Sequence, residues 1–268
     1  MEKKPILEVT KLEVVYQSAI VAVQGVSLSV PENSIIALLG VNGAGKSTTL
    51  RAISGFLGID DAEVTDGTIE FEGEILNNKK PHVISRKGVA LVPEREKIFV
   101  TLTVRENLAA CLSTQKGGGK TNLNLDMVHE FFPVLHERRN QVAGYLSGGE
   151  RQMLALSMAL LCAPKLLMVD ELSLGLAPIV VEHLMERLLT LNKETGLAIL
   201  VVEQNAAAAL SIAEFGYIME NGHVVFSGTS DKLLNHEDVK EFYLGLSEKG
   251  VKSYRDVKQY RRTRRWWG

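Results

Sequence analysis

"IIALLGVNGAGKS", residues 35 to 47, sets an apolar run directly against a glycine-rich stretch that ends in Lys-Ser. Ile35 to Leu39 has no polar break and is too short for a helix, so it reads as a strand buried on both faces. The next residues, Gly40, Val41, Asn42, Gly43, Ala44, Gly45, Lys46 and Ser47, fit G-x-x-x-x-G-K-[ST] at every fixed position. Glycines let the backbone curl so that successive N–H groups face phosphate oxygens. Lys46 then reaches the outer phosphates, and the Ser47 hydroxyl meets Mg²⁺ at the positive end of the helix that starts there. A helical pattern over 47 to 55 completes the strand–loop–helix context that the motif requires, where a plain Gly-rich turn would need neither Lys nor Ser. The similar ending Gly119-Lys120-Thr121 is a decoy: Thr114 stands where the first Gly belongs, and no apolar strand precedes it.

Outward from this loop the chain reads as an α/β protein with a P-loop NTPase core. Segments 6–16, 22–30 and 68–71 are rich in β-branched residues between turn signals, giving a β-rich N-terminal subdomain. Two more buried strands are expected at 165–169 and 198–202, separated by a helical pattern over 179–191, which implies a parallel sheet with crossover helices. About 95–160 turns almost wholly helical around a Gly/Lys-rich linker at 113–124 and is expected to be a helical subdomain inserted in the core. The expected division is an ATPase-sized domain over 1–250 and a separate tail over 251–268.

"VDELSLGLAP", residues 169 to 178, raises the question of why a buried strand should end in two carboxylates. In a P-loop sheet a second strand ends beside the nucleotide, where an Asp holds Mg²⁺. Asp170 fits that place, and Glu171 would face the γ-phosphate to orient a water and take its proton. Two acids capping the following helix are the plainer alternative. Further back, Leu146, Ser147, Gly148, Gly149 and Glu150, with Arg151 and Gln152, stand just ahead of a helix expected at 153–161. Small residues and free N–H groups at a helix start make a second anion site. One nucleotide does not need it within the same chain, so it is read as closing over a nucleotide held by another subunit.

The ordered set GVNGAGKST, LSGGERQ and LLMVDE resembles the motifs of ABC transporter ATP-binding subunits, over about 7–245. Within that family LVPE (91–94), SLGLAP (173–178), VVEQN (201–205) and ENGHVVFSGT (220–229) look like branched-chain amino acid importer subunits of the LivF type. The resemblance implies ATP and Mg²⁺, bound by the loop through Thr48, with the aromatic Tyr16 stacking on adenine. It also implies that Glu94 stands where most relatives have a Gln touching the metal, and Gln204 where most have a His contacting the γ-phosphate. A Gln can donate a hydrogen bond there but cannot carry charge or shuttle a proton. Ala177 replaces the usual Asp, removing a cross-dimer polar contact. Leu172 replaces the expected Pro, for which a local packing effect is expected.

The implied partners are a second ATPase subunit, in this type a different chain, the transmembrane permease subunits, and an extracytoplasmic solute-binding protein. The implied place is the cytoplasmic face of the inner membrane, held peripherally. Rival readings keep the machine but change the cargo to urea, short amides or other small solutes, or make the chain a soluble ABC ATPase acting on ribosomes or nucleic acid. The single P-loop and the lack of a coiled-coil or zinc-binding insertion speak for no nucleic-acid partner.

Composition fits a packed protein, 46% apolar and 23% charged. No run approaches the roughly 20 apolar residues of a membrane span, and MEKKPILEV lacks the apolar core of a secretory signal, so a cytoplasmic location is expected. Cys111 and Cys162 are expected to be reduced packing residues without a nearby partner. The net charge of −2 hides an asymmetry: residues 252–268 carry seven Lys/Arg and one acid, with Tyr254, Tyr260, Trp266 and Trp267 among them. A packed or solvated extension, contact with anionic lipid at the permease side, and nucleic-acid binding compete for this tail.

Overall fold

The computed structural model describes residues 4–94, 98–112 and 124–242. Its first sheet is antiparallel, in the order β2 (Ile20–Pro31), β1 (Pro5–Tyr16), β4 (Ala62–Phe71), β5 (Glu74–Ile75). The second sheet runs β10 (His223–Thr229), β9 (Phe215–Glu220), β3 (Ile35–Gly40), β8 (Ala198–Glu203), β7 (Leu166–Asp170), β6 (Val89–Val92). Its strands are parallel from β9 to β6, and β10 joins as an antiparallel edge.

The unbroken apolar runs are explained by two cores, one on each face of this second sheet. Ile35, Ala37 and Leu39 of β3 face the helices, while Ile36 and Leu38 face the first sheet. Between the sheets, Leu7, Val14, Ile69 and Phe71 pack with Leu50 and Ile53 of α1 (Lys46–Ser54). The short α2 (Pro81–Arg86) leads into β6.

On the other face lie α3 (Val104–Leu112), α4 (Leu125–Phe131), α5 (Pro133–Glu137) and α6 (Gly148–Leu161). Their apolar side chains, such as Leu108, Phe131, Leu135 and Leu156, join one continuous cluster with β7 and β8. Asn107, fully buried, ties the start of α3 down by exchanging hydrogen bonds with the Phe99 backbone and donating to the Thr103 carbonyl. The same cluster takes in α7 (Pro178–Thr195) and α8 (Ala206–Leu210), and α9 (Ser230–Asn235) and α10 (Glu237–Phe242) close the described chain.

Two expectations need correction. The helix placed at 153–161 begins at Gly148, because Ser147 accepts from the Glu150 backbone N–H while the Glu150 carboxylate accepts from that of Ser147. This capping box satisfies the first-turn donors, so the small residues nucleate the helix rather than precede it. The cysteines are not isolated either: α3 packs on α6, and the thiols of Cys111 and Cys162 lie within hydrogen-bonding reach. That contact, and then burial, push the Cys111 thiol well above its ordinary range. Both remain free thiols. The decoy at 119–121 and the tail lie outside the described residues.

Candidate functional site

Parallel strands in the order β3, β8, β7, β6 bring four chain exits to one edge of the sheet. Register keeps them level, with Leu39 opposite Glu203 and Asp170 opposite Val202. Thus the P-loop leaves β3, Gln204 leaves β8, Asp170-Glu171 ends β7, and Glu94 follows β6. This carboxyl edge is where open α/β sheets hold ligands.

A cavity of about 870 Å³ opens there, lined by the loop from Asn42 to Thr48 together with Glu94, Glu171 and Leu174. Two glycines are sterically required. A Cβ on Gly40 would lie 2.5 Å from the Met219 carbonyl oxygen. Gly45, at φ 100°, occupies the left-handed region at the N-cap of α1. Lys46, Ser47 and Thr48, the first turn of that helix, line the cavity, and the free first-turn amides of a helix make a ready anion site.

Lys46 is 3% exposed. Its ammonium donates to the Gly40 carbonyl at 2.8 Å and the Val41 carbonyl at 3.2 Å, and pairs with Glu171 Oε1 at 3.1 Å. Gly40 and Val41 therefore act through their carbonyls and do not line the cavity. Glu171 adopts φ 45°, rare for a residue with a Cβ, and its N–H donates to the Val202 carbonyl at 2.8 Å. Locally strained backbone thus turns the carboxylate back over the end of β8 toward Lys46.

Asp170 is 6% exposed, and burial, its largest influence, pushes its carboxyl up to about 6 against a hydrogen bond from Ser47. Its Oδ1 has no hydrogen-bond partner among the described residues. A buried, unsatisfied hard oxygen beside a hydroxyl suits a small cation such as Mg²⁺. No group of three or more His, Cys, Asp or Glu able to enclose an ion occurs among the described residues.

Other expected residues fall variously. Tyr16 ends β1, and its hydroxyl lies 3.3 Å from Thr48 Oγ1, tying the aromatic to the loop. Gln204 reaches the correct edge, but it is exposed and does not line the cavity. None of Leu146 to Glu150 lines it: Ser147 and Gly148 are exposed, Leu146 is buried as an anchor, and Glu150 pairs with Arg138 at 2.6 Å. Leu172 is fully buried, in keeping with a packing role.

The roles of two residues escaped the sequence reading. Glu203, fully buried at the end of β8, accepts from the Ser173 N–H at 2.9 Å and the Ser173 hydroxyl at 2.6 Å. Burial outweighs these bonds and raises its carboxyl above the ordinary range. The clue was available, since "AILVVE" is another apolar strand ending in an acid. Gln152 donates to the Leu172 carbonyl at 3.2 Å and so joins α6 to the segment after Glu171.

Residues 23–173 match the ABC transporter family. The chain is 43% identical over 235 residues to the high-affinity branched-chain amino acid transport ATP-binding protein BraG of Pseudomonas aeruginosa, covering 86% of this chain and 96% of BraG. It is 37% identical to the probable branched-chain amino acid transport ATP-binding protein LivF of Archaeoglobus fulgidus, covering 82% and 91% of the two chains. The solved ADP conformation of an ATP-binding cassette of an ABC transporter superposes with a TM-score of 0.75 at 27% identity, covering 91% of this chain and 100% of that one. The glycine-rich loop, with Lys46 buried, faces Glu171 across the cavity, and the chain belongs to the ABC transporter family as an ATP-binding cassette, an ATPase.

Proposed function

We propose that this ATPase energises the uptake of branched-chain amino acids through a separate membrane permease. The observation that carries the chemistry is the convergence of Lys46, Ser47, Glu94 and Glu171 on one cavity with Asp170 behind it. The similarity to BraG and LivF supports the cargo.

In this reading the amides of Asn42 to Thr48 hold the ATP phosphates, Lys46 neutralises the outer ones, and Tyr16 stacks on adenine. Ser47 and Asp170, with Glu94 nearby, would hold Mg²⁺, which when bound neutralises charge on the phosphates. Glu171 orients the attacking water and takes its proton. Gln204, leaving β8 on the same edge, donates to the γ-phosphate once the site closes. Leu146 to Glu150 present the start of α6 to ATP on a second ATPase subunit, which in the LivF type is a different chain. Permease subunits and an extracytoplasmic solute-binding protein complete the assembly, and this chain sits peripherally on the cytoplasmic face of the inner membrane. No described helix is long and apolar enough to cross a membrane.

The test is Glu171→Gln in the assembled transporter. ATP should remain trapped, turnover should fall on the order of a hundredfold or more, and uptake of labelled leucine should stop. Undiminished turnover overturns the assignment of the base, while lost turnover with leucine uptake intact overturns the cargo.

A further inference from the structure

Away from the nucleotide cavity, α7 and α8 enclose a groove of about 500 Å³. Its α7 wall is one helical face: Val181, Glu182, Met185, Glu186 and Leu189 recur at three- and four-residue spacing. Leu184, Leu188 and Leu191 lie on the adjoining face and pack in the core together with Val181 and Met185. Val181, Met185, Leu189 and Ile212 make an apolar floor. Among the described residues, the only charged side chains that line the groove are Glu182 and Glu186, and neither has an ion-pair partner there. His183 and Arg187 fall between these positions on α7 and do not line it.

An apolar floor with an acidic rim calls for an occupant that is aromatic and basic. Residues 252–268 have that composition, with seven Lys/Arg, one acid, two Tyr and two Trp. They also start within reach. The described chain ends in α10, which packs on α9; α9 packs on α8, and α8 is the second wall of the groove. The ten or so residues between 242 and 252 can span roughly 33 Å when extended, several times the ~10 Å width of one helix.

We propose that residues 252–268 dock into the α7–α8 groove of their own chain, aromatic side chains on the apolar floor and Lys/Arg against Glu182 and Glu186. Exposed ion pairs are individually weak, so docking needs the aromatic contacts and the joint attraction of seven Lys/Arg to the two carboxylates together. Ser173 closes one end of the groove, and it is the residue whose N–H and hydroxyl Glu203 accepts from. Docking therefore places the tail against the segment that follows Glu171.

The protein supplies its own probe, because Trp266 and Trp267 are its only tryptophans. In the full chain their emission should be shifted to the blue, and acrylamide quenching should be about threefold weaker than in a free peptide of residues 252–268, as burial of an aromatic ring requires. Dilution should change neither. The double charge reversal Glu182→Lys/Glu186→Lys, at two exposed positions, should return quenching to the peptide's value with the circular dichroism unchanged. If that variant misfolds, high salt on the unaltered chain is the second reading, and it should raise the quenching. Quenching equal to the peptide's, or protection that survives both charge reversal and salt, overturns the proposal. So does protection lost on dilution, which would assign the groove to a second copy, or protection that appears only with phosphatidylglycerol vesicles, which would assign the tail to lipid.

Discussion

Lys46 has three ammonium hydrogens and three acceptors, the carbonyls of Gly40 and Val41 and the carboxylate of Glu171. Both members of the ion pair are buried, so removing one leaves the other charged and uncompensated. Lys46→Met should therefore lower stability by about 3–5 kcal/mol, and Lys46→Met/Glu171→Gln should recover much of the loss, as read from urea unfolding without nucleotide. Glu203 makes a second prediction. Its carboxyl is raised by burial, so the folded chain keeps that proton to higher pH than the unfolded chain does. The associated stability is complete below the ordinary carboxylate range and is lost as pH rises through the raised value. Glu203→Gln cannot lose a proton, so its unfolding free energy should fall less than the wild type's as pH rises from the ordinary carboxylate range through the raised one. Lys46, Ser47 and Asp170 were legible because fixed spacing announces a phosphate loop and an acid ending a buried strand. Glu203 carries the second of those signals, yet its partner Ser173 lies thirty residues back in sequence. Only the pairing of β7 with β8 brings them together.

At the scale of elements, α7 starts without a side-chain cap: Ala177 occupies its N-cap and Pro178 its first turn. The Asp that relatives of this family commonly carry there would accept from the first-turn amides. Ala177→Asp should thus stabilise the isolated chain by about 0.5–1 kcal/mol, seen as a higher melting temperature. Strands and helices of the core were readable from unbroken apolar runs and from helical spacing. The beginning of α6 was not, because Ser-Gly-Gly reads as a loop until the reciprocal bonds between Ser147 and Glu150 are seen. The proximity of Cys111 to Cys162 was equally hidden, since it depends on how α3 lies against α6. Helix packing leaves little trace in the spacing of a single helix.

For the whole molecule, the sequence pattern implied a parallel sheet but not the order β3-β8-β7, which sets the loop and the carboxylates on either side of one intervening strand. That order is a matter of which crossovers pack best, and alternating strands and helices alone do not encode it. One feature of the finished shape governs how the enzyme must behave in a test tube. The start of α6 presents exposed Ser147 and Gly148, and none of Leu146 to Glu150 borders the cavity that contains Lys46. On the proposed function, each molecule thus owns two unlike halves of a reaction centre that do not meet within it. Its kinetics should then be those of an encounter. If like chains pair, specific activity should climb with enzyme concentration at low concentration and level off once pairs predominate. If the partner is a different chain, activity should stay near zero across the same dilution series and appear as a saturable function of added partner. Specific activity independent of concentration, in the pure chain alone, would mean that one copy is already a complete catalyst.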